Sequence, residues 1–313
     1  MVGRAAAGRS DCTNRTSLTV ALDSASIAHA EGPNCWNACM DRVSPPQPQF
    51  LEVASPGADA AAGRRIAYLV QSGAGHGILW LPGFKSEMVS TKASALADWA
   101  AVSGRAMTRF DYSGHGQSAD GAEGRFEDGT VSRWLDETRA VFGQLTHGPQ
   151  IVIGSSMGGW LALLLLRWLL VEHPAEAARI KALVLIAPAW DMTELMRQRF
   201  TDAIRQELAE RGVWLRPSQY GAPYPITRGL IEDGNRHLLA RRRWNPGRPV
   251  VIVHGRLDTD VPFAHSQVLC AFLYGGWTRL VDVPDGEHRL SRPEDIALLL
   301  ELIAGVNGNG SGV

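Results

Sequence analysis

The stretch IVIGSSMGGWLALLLLRWLL, Ile151–Leu170, decides the fold. A short apolar run enters a turn of small residues, and a longer apolar run leaves it. Two readings compete: a membrane span, or a strand that turns sharply into a buried helix. The run from Trp160 to Val171 covers about twelve residues and includes Arg167, whereas a span takes about 20 apolar residues. The buried helix is therefore the better reading. The turn fits G-x-S-x-G only with Ser156 at its centre and Gly154 and Gly158 two residues to either side. A serine on so tight a strand-to-helix turn projects its hydroxyl above the sheet, and its neighbours at ±2 are crowded enough to favour glycine. Ser155, with glycine at −1 and +3, gains no such relief. Ser156 would also open the helix, where free N–H groups favour an oxyanion.

Outward from this turn, short apolar runs alternate with helical patterns. QFLEVAS and RRIAYLVQ read as a hairpin pair at a sheet edge, and GILWLP (77–82) as a buried strand ending in a Pro-Gly turn. RAMTRFDY, QIVIG, KALVLIAP, PVVIVHG and TRLVDVP read as further strands. STKASALADWAAVSG, TVSRWLDETRAVFGQL, FAHSQVLCAFLYG and PEDIALLLELIAG read as helices. Continuous apolar strands separated by helices predict an α/β fold, a mostly parallel sheet covered on both faces. One interval breaks the rhythm. Residues 189–248 hold helical pieces around the aromatic and proline-rich VWLRPSQYGAPYPI, and an insertion of that size suits a helical lid or a binding surface.

A serine nucleophile needs a base and an orienting acid, in loops after later strands. Of the nine histidines, His288 follows the last strand in VPDGEHRLS and is the natural base. His254 ends a strand and is expected to point into the sheet or cap the loop. For the acid, Asp258 and Asp260 both follow the VVIVH strand. Spacing favours Asp258, with Asp260 as a helix cap and Asp191 as a third candidate. Two backbone donors are needed for an oxyanion, and Met157 and Phe84 are expected to supply them. Trp190, Trp214 and Tyr220, with Tyr224, are candidates for a lid wall that meets an acyl chain. Gly114, Gly116 and Ala119 form a G-x-G-x-x-A after a strand, but loop text follows where a dinucleotide site needs a helix. That segment is expected to be a tight turn along one wall of the site.

The chain has 313 residues and a net charge of −1, with 45% hydrophobic and 20% charged residues. These are ordinary values for a globular protein and give no case for nucleic acid as a partner. Lysine occurs only at Lys85, Lys92 and Lys181, so arginine carries nearly all the positive charge. Three of four cysteines (Cys12, Cys35, Cys39) precede residue 40, which argues against a disulfide-stapled domain and for a reducing compartment. Cys35 and Cys39 lack the histidines of a zinc site, so no metal or cofactor is expected. Residues 1–48 show no sustained period and are expected to be a disordered extension before a domain at 49–313. The expected compartment is the cytoplasm. The alternative is the mitochondrial matrix, should residues 1–40 be a transit peptide. The expected state is a monomer or weak homodimer.

LPGF, RFDYSGHGQS, GSSMGGW, HGRLDTDVP and HRLSRPED, in this order, resemble the α/β-hydrolase superfamily. FDYSGHGQS with GSSMGGW is most similar to the branch that contains a mitochondrial palmitoyl-protein thioesterase with acyl-glucuronide esterase activity. RGVWLRPSQY is similar to that branch too, and the likeness covers roughly 65–305. The resemblance implies an α/β-hydrolase fold and a serine hydrolase acting on carboxylic esters or thioesters of a small molecule or an acylated protein. Carried onto matching positions, it implies Ser156 as nucleophile, Asp258 as acid and His288 as base. Pro82-Gly83 departs from the His-Gly common at the oxyanion loop. A reading from another class is a receptor or scaffold of the same fold that binds a ligand without useful turnover.

Overall fold

Strand residues that alternate between two apolar faces build the centre of this chain. In the computed structural model, which describes residues 46–54, 63–119, 124–218 and 221–306, ten strands and nine α-helices are present among the described residues. They are β1 (Gln49–Val53), β2 (Arg64–Gln71), β3 (Gly77–Leu81), α1 (Thr91–Val102), β4 (Met107–Phe110), α2 (Val131–Leu145), β5 (Gln150–Ser155), α3 (Met157–Glu172), α4 (Pro174–Ala177) and β6 (Ile180–Ile186). The insertion follows with α5 (Met192–Gln198), α6 (Asp202–Arg211), β7 (Val213–Ser218), β8 (Gly221–Thr227) and α7 (Arg228–Gly234). β9 (Val250–Gly255), α8 (Phe263–Phe272), β10 (Thr278–Val283) and α9 (Pro293–Val306) complete the order.

Eight strands form one sheet in the order β1-β2-β4-β3-β5-β6-β9-β10. β1–β2 and β2–β4 are antiparallel and the remaining pairs are parallel. This is the α/β-hydrolase sheet that the resemblance implies. The two faces divide each strand by parity. Leu79, Val152, Leu183 and Ile252 face α2, α3 and α8 with Trp134, Trp160 and Leu269. Ile78, Trp80, Ile153, Val184 and Val253 face α1 and α9 with Leu96, Leu299 and Ile303. Both parities are apolar because both faces are covered, which removes the simple in–out alternation of a half-exposed strand.

The leucine run becomes α3, buried from Met157 through Leu166 and again at Leu169. No helix among the described residues is long and apolar enough to cross a membrane. α2 opens where expected, with Thr130 Oγ1 accepting from the Arg133 N–H at 3.2 Å. The insertion holds the expected helical pieces as α5, α6 and α7. Its aromatic, proline-rich middle is an antiparallel ribbon, β7 paired with β8. The expected extension, apart from residues 46–48, and Cys12, Cys35, Cys39 and Tyr220 lie outside the described residues.

The glycines of the turn are set by contact. A Cβ on Gly154 would sit 2.3 Å from the Gly158 carbonyl oxygen, and one on Gly158 would sit 2.1 Å from the Leu81 carbonyl oxygen. Gly158 is therefore crowded by the end of β3 as well as facing Gly154. Gly158→Ala should cost about 3 kcal/mol or more, since the clash is with backbone that cannot turn aside. Urea denaturation checks this, and wild-type stability in the variant would refute the packing described.

Candidate active site

Ser156 sits between β5 and α3 at φ 53° and ψ −116°. A non-glycine residue holds such a conformation only where its surroundings over-determine it. Here the Ser156 N–H donates to the Ile186 carbonyl at 2.8 Å, and the Ser156 carbonyl accepts from the Gly159 and Ala189 N–H groups at 2.9 and 3.0 Å. Backbone bonds on both sides of the residue fix the direction of its hydroxyl.

His288 lies in the loop between β10 and α9. Its Nε2 is 3.1 Å from Ser156 Oγ, and its Nδ1 is 2.7 Å from Asp258 Oδ2. An ionised carboxylate only accepts, so Nδ1 carries the hydrogen and Nε2 is left to accept from the serine hydroxyl. Asp258 follows β9 and is buried. Its Oδ1 accepts from the Asp260 and Val261 N–H groups at 2.9 and 2.8 Å. Burial pushes its pKa up. Hydrogen bonds from His254 and His288, with the charge on His288, more than offset this and hold it well below the usual carboxylate range. The aspartate therefore stays charged, as a group that orients an imidazole needs to.

His254 is the participant that sequence reasoning missed. Its Nε2 lies 3.0 Å from Asp258 Oδ2 and 2.9 Å from the Val261 carbonyl, two acceptors, so that nitrogen carries the hydrogen. Its Nδ1 is 2.6 Å from Ser266 Oγ. It caps the loop after β9, as one of the two expectations had it, and through that loop it reaches Asp258. The His–Asp spacing of four in HGRLD was the available signal.

The loop after β3 passes directly over the serine: a Cβ on Gly83 would be 3.3 Å from both Ser156 Cβ and the Ser155 carbonyl oxygen. Phe84 follows, and Met157 begins α3. Neither N–H is engaged by a backbone carbonyl among the described residues. The Phe84 ring meets Phe126, Tyr224 and Trp134 edge-on, at 4.9, 5.7 and 5.8 Å between centroids.

Above these groups lies a cavity of about 850 Å³ lined by Ser156 and His288. Met192, Leu195, Met196, Phe200, Trp214 and Tyr224 of the insertion supply an apolar wall. Lys85, Ser86, Lys92, Arg289 and Ser291 supply a polar side. Trp190 does not join the lining: its indole N–H donates to the His265 carbonyl at 3.0 Å, and its ring stacks on His265 and Phe272. Asp260 is not a helix cap. Its carboxylate faces Arg216 of the ribbon at 3.6 Å and its carbonyl accepts from Arg199 at 2.8 Å. Asp191 is buried, and its carboxylate accepts from the Leu239 and Ala240 N–H groups at 2.7 and 2.9 Å. It thus fastens the end of the insertion to its start. The Gly114–Gly116 turn wraps the Asp111 carboxylate, which accepts from the Gln117 N–H at 2.9 Å, and it does not line the cavity. His115 within it is buried, which pushes its pKa down to about 4, and it packs against Phe84 and Phe126.

The family model for serine aminopeptidases of the S33 type matches residues 77–232. The human palmitoyl-protein thioesterase ABHD10, mitochondrial, is 30% identical over 242 residues, spanning 76% of this chain and 75% of the human protein. The chain belongs to the ABHD10 branch of the α/β hydrolases. The solved structure of mouse ABHD10 is 28% identical with a TM-score of 0.71, covering 83% of this chain and 98% of that one. A putative hydrolase from Agrobacterium vitis S4 is 38% identical with a TM-score of 0.77, covering 84% and 99%. Membership in the ABHD10 branch makes the chain a serine hydrolase, and it disfavours the reading as a receptor without turnover.

His254→Phe should destabilise the protein by about 1.5–3 kcal/mol at neutral pH, the range for a hydrogen bond to a charged group. The pKa of Asp258 is lower folded than unfolded, so its contribution is complete above about pH 4 and is lost as pH falls through the folded value. The difference between variant and wild type should accordingly shrink in acid. Urea titrations at several pH values check this, and equal stability at neutral pH would contradict it.

Proposed function

We propose that the chain hydrolyses acyl esters or thioesters through an acyl-enzyme on Ser156. The observation that carries the reading is the hydrogen-bonded series Ser156–His288–Asp258 at the floor of a cavity walled by the insertion. Ser156 Oγ attacks the acyl carbonyl carbon as His288 Nε2 takes its proton. Asp258 holds the imidazole by its Nδ1–H and stabilises the imidazolium that forms. The Met157 and Phe84 N–H groups receive the charge that develops on the carbonyl oxygen. The tetrahedral adduct collapses, and the departing alcohol or thiol takes the proton from Nε2. A water, deprotonated by the same nitrogen, then releases the acid.

The apolar wall of residues 189–248 suits the acyl portion, with Trp214 and Tyr224 beside the chain. We read this segment as the lid of a domain spanning 49–313. Long-chain thioesters are the proposed substrate class, supported by that wall and by the likeness to ABHD10, a palmitoyl-protein thioesterase. The ABHD10 relatives are mitochondrial, which favours the mitochondrial alternative over the cytoplasm for this chain.

Ser156→Ala should abolish turnover and fluorophosphonate labelling, and Asp258→Asn should lower kcat by about 10⁴-fold with the fold intact. Wild-type labelling of Ser156→Ala would sink the assignment. Across a panel of acyl thioesters, kcat/KM should rise with chain length. Trp214→Ala should lower the long-chain value more than the short-chain one, by about tenfold. A flat chain-length profile would count against the long-chain reading.

A further inference from the structure

Three lysines stand among thirty-one basic residues, and two of them, Lys85 and Lys92, line the cavity. Lys92 is in the first turn of α1, the helix that follows the Phe84 loop. It is 9% exposed. Its Nζ crosses to the turn after β10, where it donates to the Arg289 carbonyl and, at 3.2 Å, to Ser291 Oγ. Ser291 Oγ donates to the same carbonyl at 3.0 Å. That carbonyl belongs to the residue after His288.

The turn it holds is strained. Leu290 has φ 43° with a buried side chain, and left-handed backbone in a leucine persists only where the surroundings impose it. Other anchors pin the flanks. Arg292 pairs with Asp285 at 2.7 Å and Asp295 at 2.8 Å, and the Gly286 carbonyl accepts from Leu257 at 2.9 Å. Between these anchors, Lys92 and Ser291 hold the carbonyl of Arg289, the residue that separates His288 from the strained Leu290. A buried ammonium is a poor choice for stability alone, because its desolvation cost commonly cancels its gain.

We propose that Lys92 is a positioning residue, whose buried ammonium holds the Arg289 carbonyl and thereby keeps the His288 imidazole aimed at Ser156. The assignment rests on the Ser156–His288–Asp258 reading. It links the general-base loop to the helix behind the oxyanion loop, so the two catalytic edges share one strut.

Burial first, then the charge of Arg289, lower the Lys92 pKa to about 8, against an opposing pull from Asp295. Arg289 and Asp295 are the charged groups that face it, the latter already paired with Arg292. Above that pH the amine keeps hydrogens to donate but loses its charge, and a charge-assisted bond becomes an ordinary one. Stability moves the other way. The folded-state pKa lies below the unfolded value of 10.5, so the penalty for burying charge acts below about pH 8 and is relieved as pH rises past it. A lysine with a structural role alone would leave the rate unchanged as stability rises. A positioning lysine loses rate while stability rises.

The test measures fluorophosphonate labelling rates and melting temperatures from about pH 7 to about pH 10. The proteins are the wild type, Lys92→Met, Lys92→Arg and Ser156→Ala. Wild-type labelling should slow above about pH 8. Lys92→Met should label about 10²-fold more slowly at neutral pH, the cost of a small misplacement, with an unchanged or higher melting temperature and no alkaline decline. Lys92→Arg, which stays charged throughout, should recover part of the rate and keep it at alkaline pH. Wild-type labelling in Lys92→Met, or an alkaline decline unchanged in Lys92→Arg, would overturn the proposal. Should neither variant fold, the wild type decides, since a level profile overturns it as well. Labelling of Ser156→Ala would instead overturn the triad reading beneath it.

Discussion

The backbone of Ser156 is the constraint on which the rest of the site depends. At φ 53° and ψ −116° the residue is in a region that costs about 1–3 kcal/mol. Three backbone hydrogen bonds and two clash-limited glycines keep it there. The Gly158 backbone abuts the Leu81 carbonyl, so the start of α3 is pressed against the end of β3. That contact carries the Gly83–Phe84 loop, which continues from β3, over the serine. One strained residue thus sets the direction of the hydroxyl, the start of the helix and the path of the loop above it.

The imidazole and carboxylate are held differently. They come from loops after β10 and β9, adjacent parallel strands, so their separation is set by sheet spacing and their aim by side-chain bonds. Asp258 receives two backbone N–H groups on one oxygen and two imidazoles on the other. Each lone-pair region is used, which leaves the carboxylate little freedom to rotate. A second feature ties the insertion to this acid. The Asp260 N–H donates to Asp258, while its carboxylate and carbonyl meet Arg216 and Arg199. The segment that walls the cavity therefore bears on the loop that holds the acid.

Much of this was legible in the residues. Apolar runs bounded by turns gave the strands, because both faces of a central parallel strand need apolar side chains. The glycine frame around Ser156 selected one of two serines, and strand-end loops selected Asp258 and His288, which the fold brings together with it. What was not legible depends on distant partners. Trp190 suggested a cavity wall by type, but His265, some 75 positions away, takes its indole N–H and its ring. Pro217, Pro223 and Pro225 lie in the ribbon of the insertion, although proline is rare inside sheets. The ribbon they join has only two strands, so each strand keeps a free edge where a missing N–H costs no ladder bond. Lys92 reaches a carbonyl 197 positions away, and no local pattern announces such a contact.

The Asp191 carboxylate binds the Leu239 and Ala240 N–H groups across nearly fifty residues, which closes the insertion on itself close to the strand it leaves. Both ends of the insertion are therefore tethered at one point, so a change that frees this carboxylate loosens the entry and the exit of the segment together.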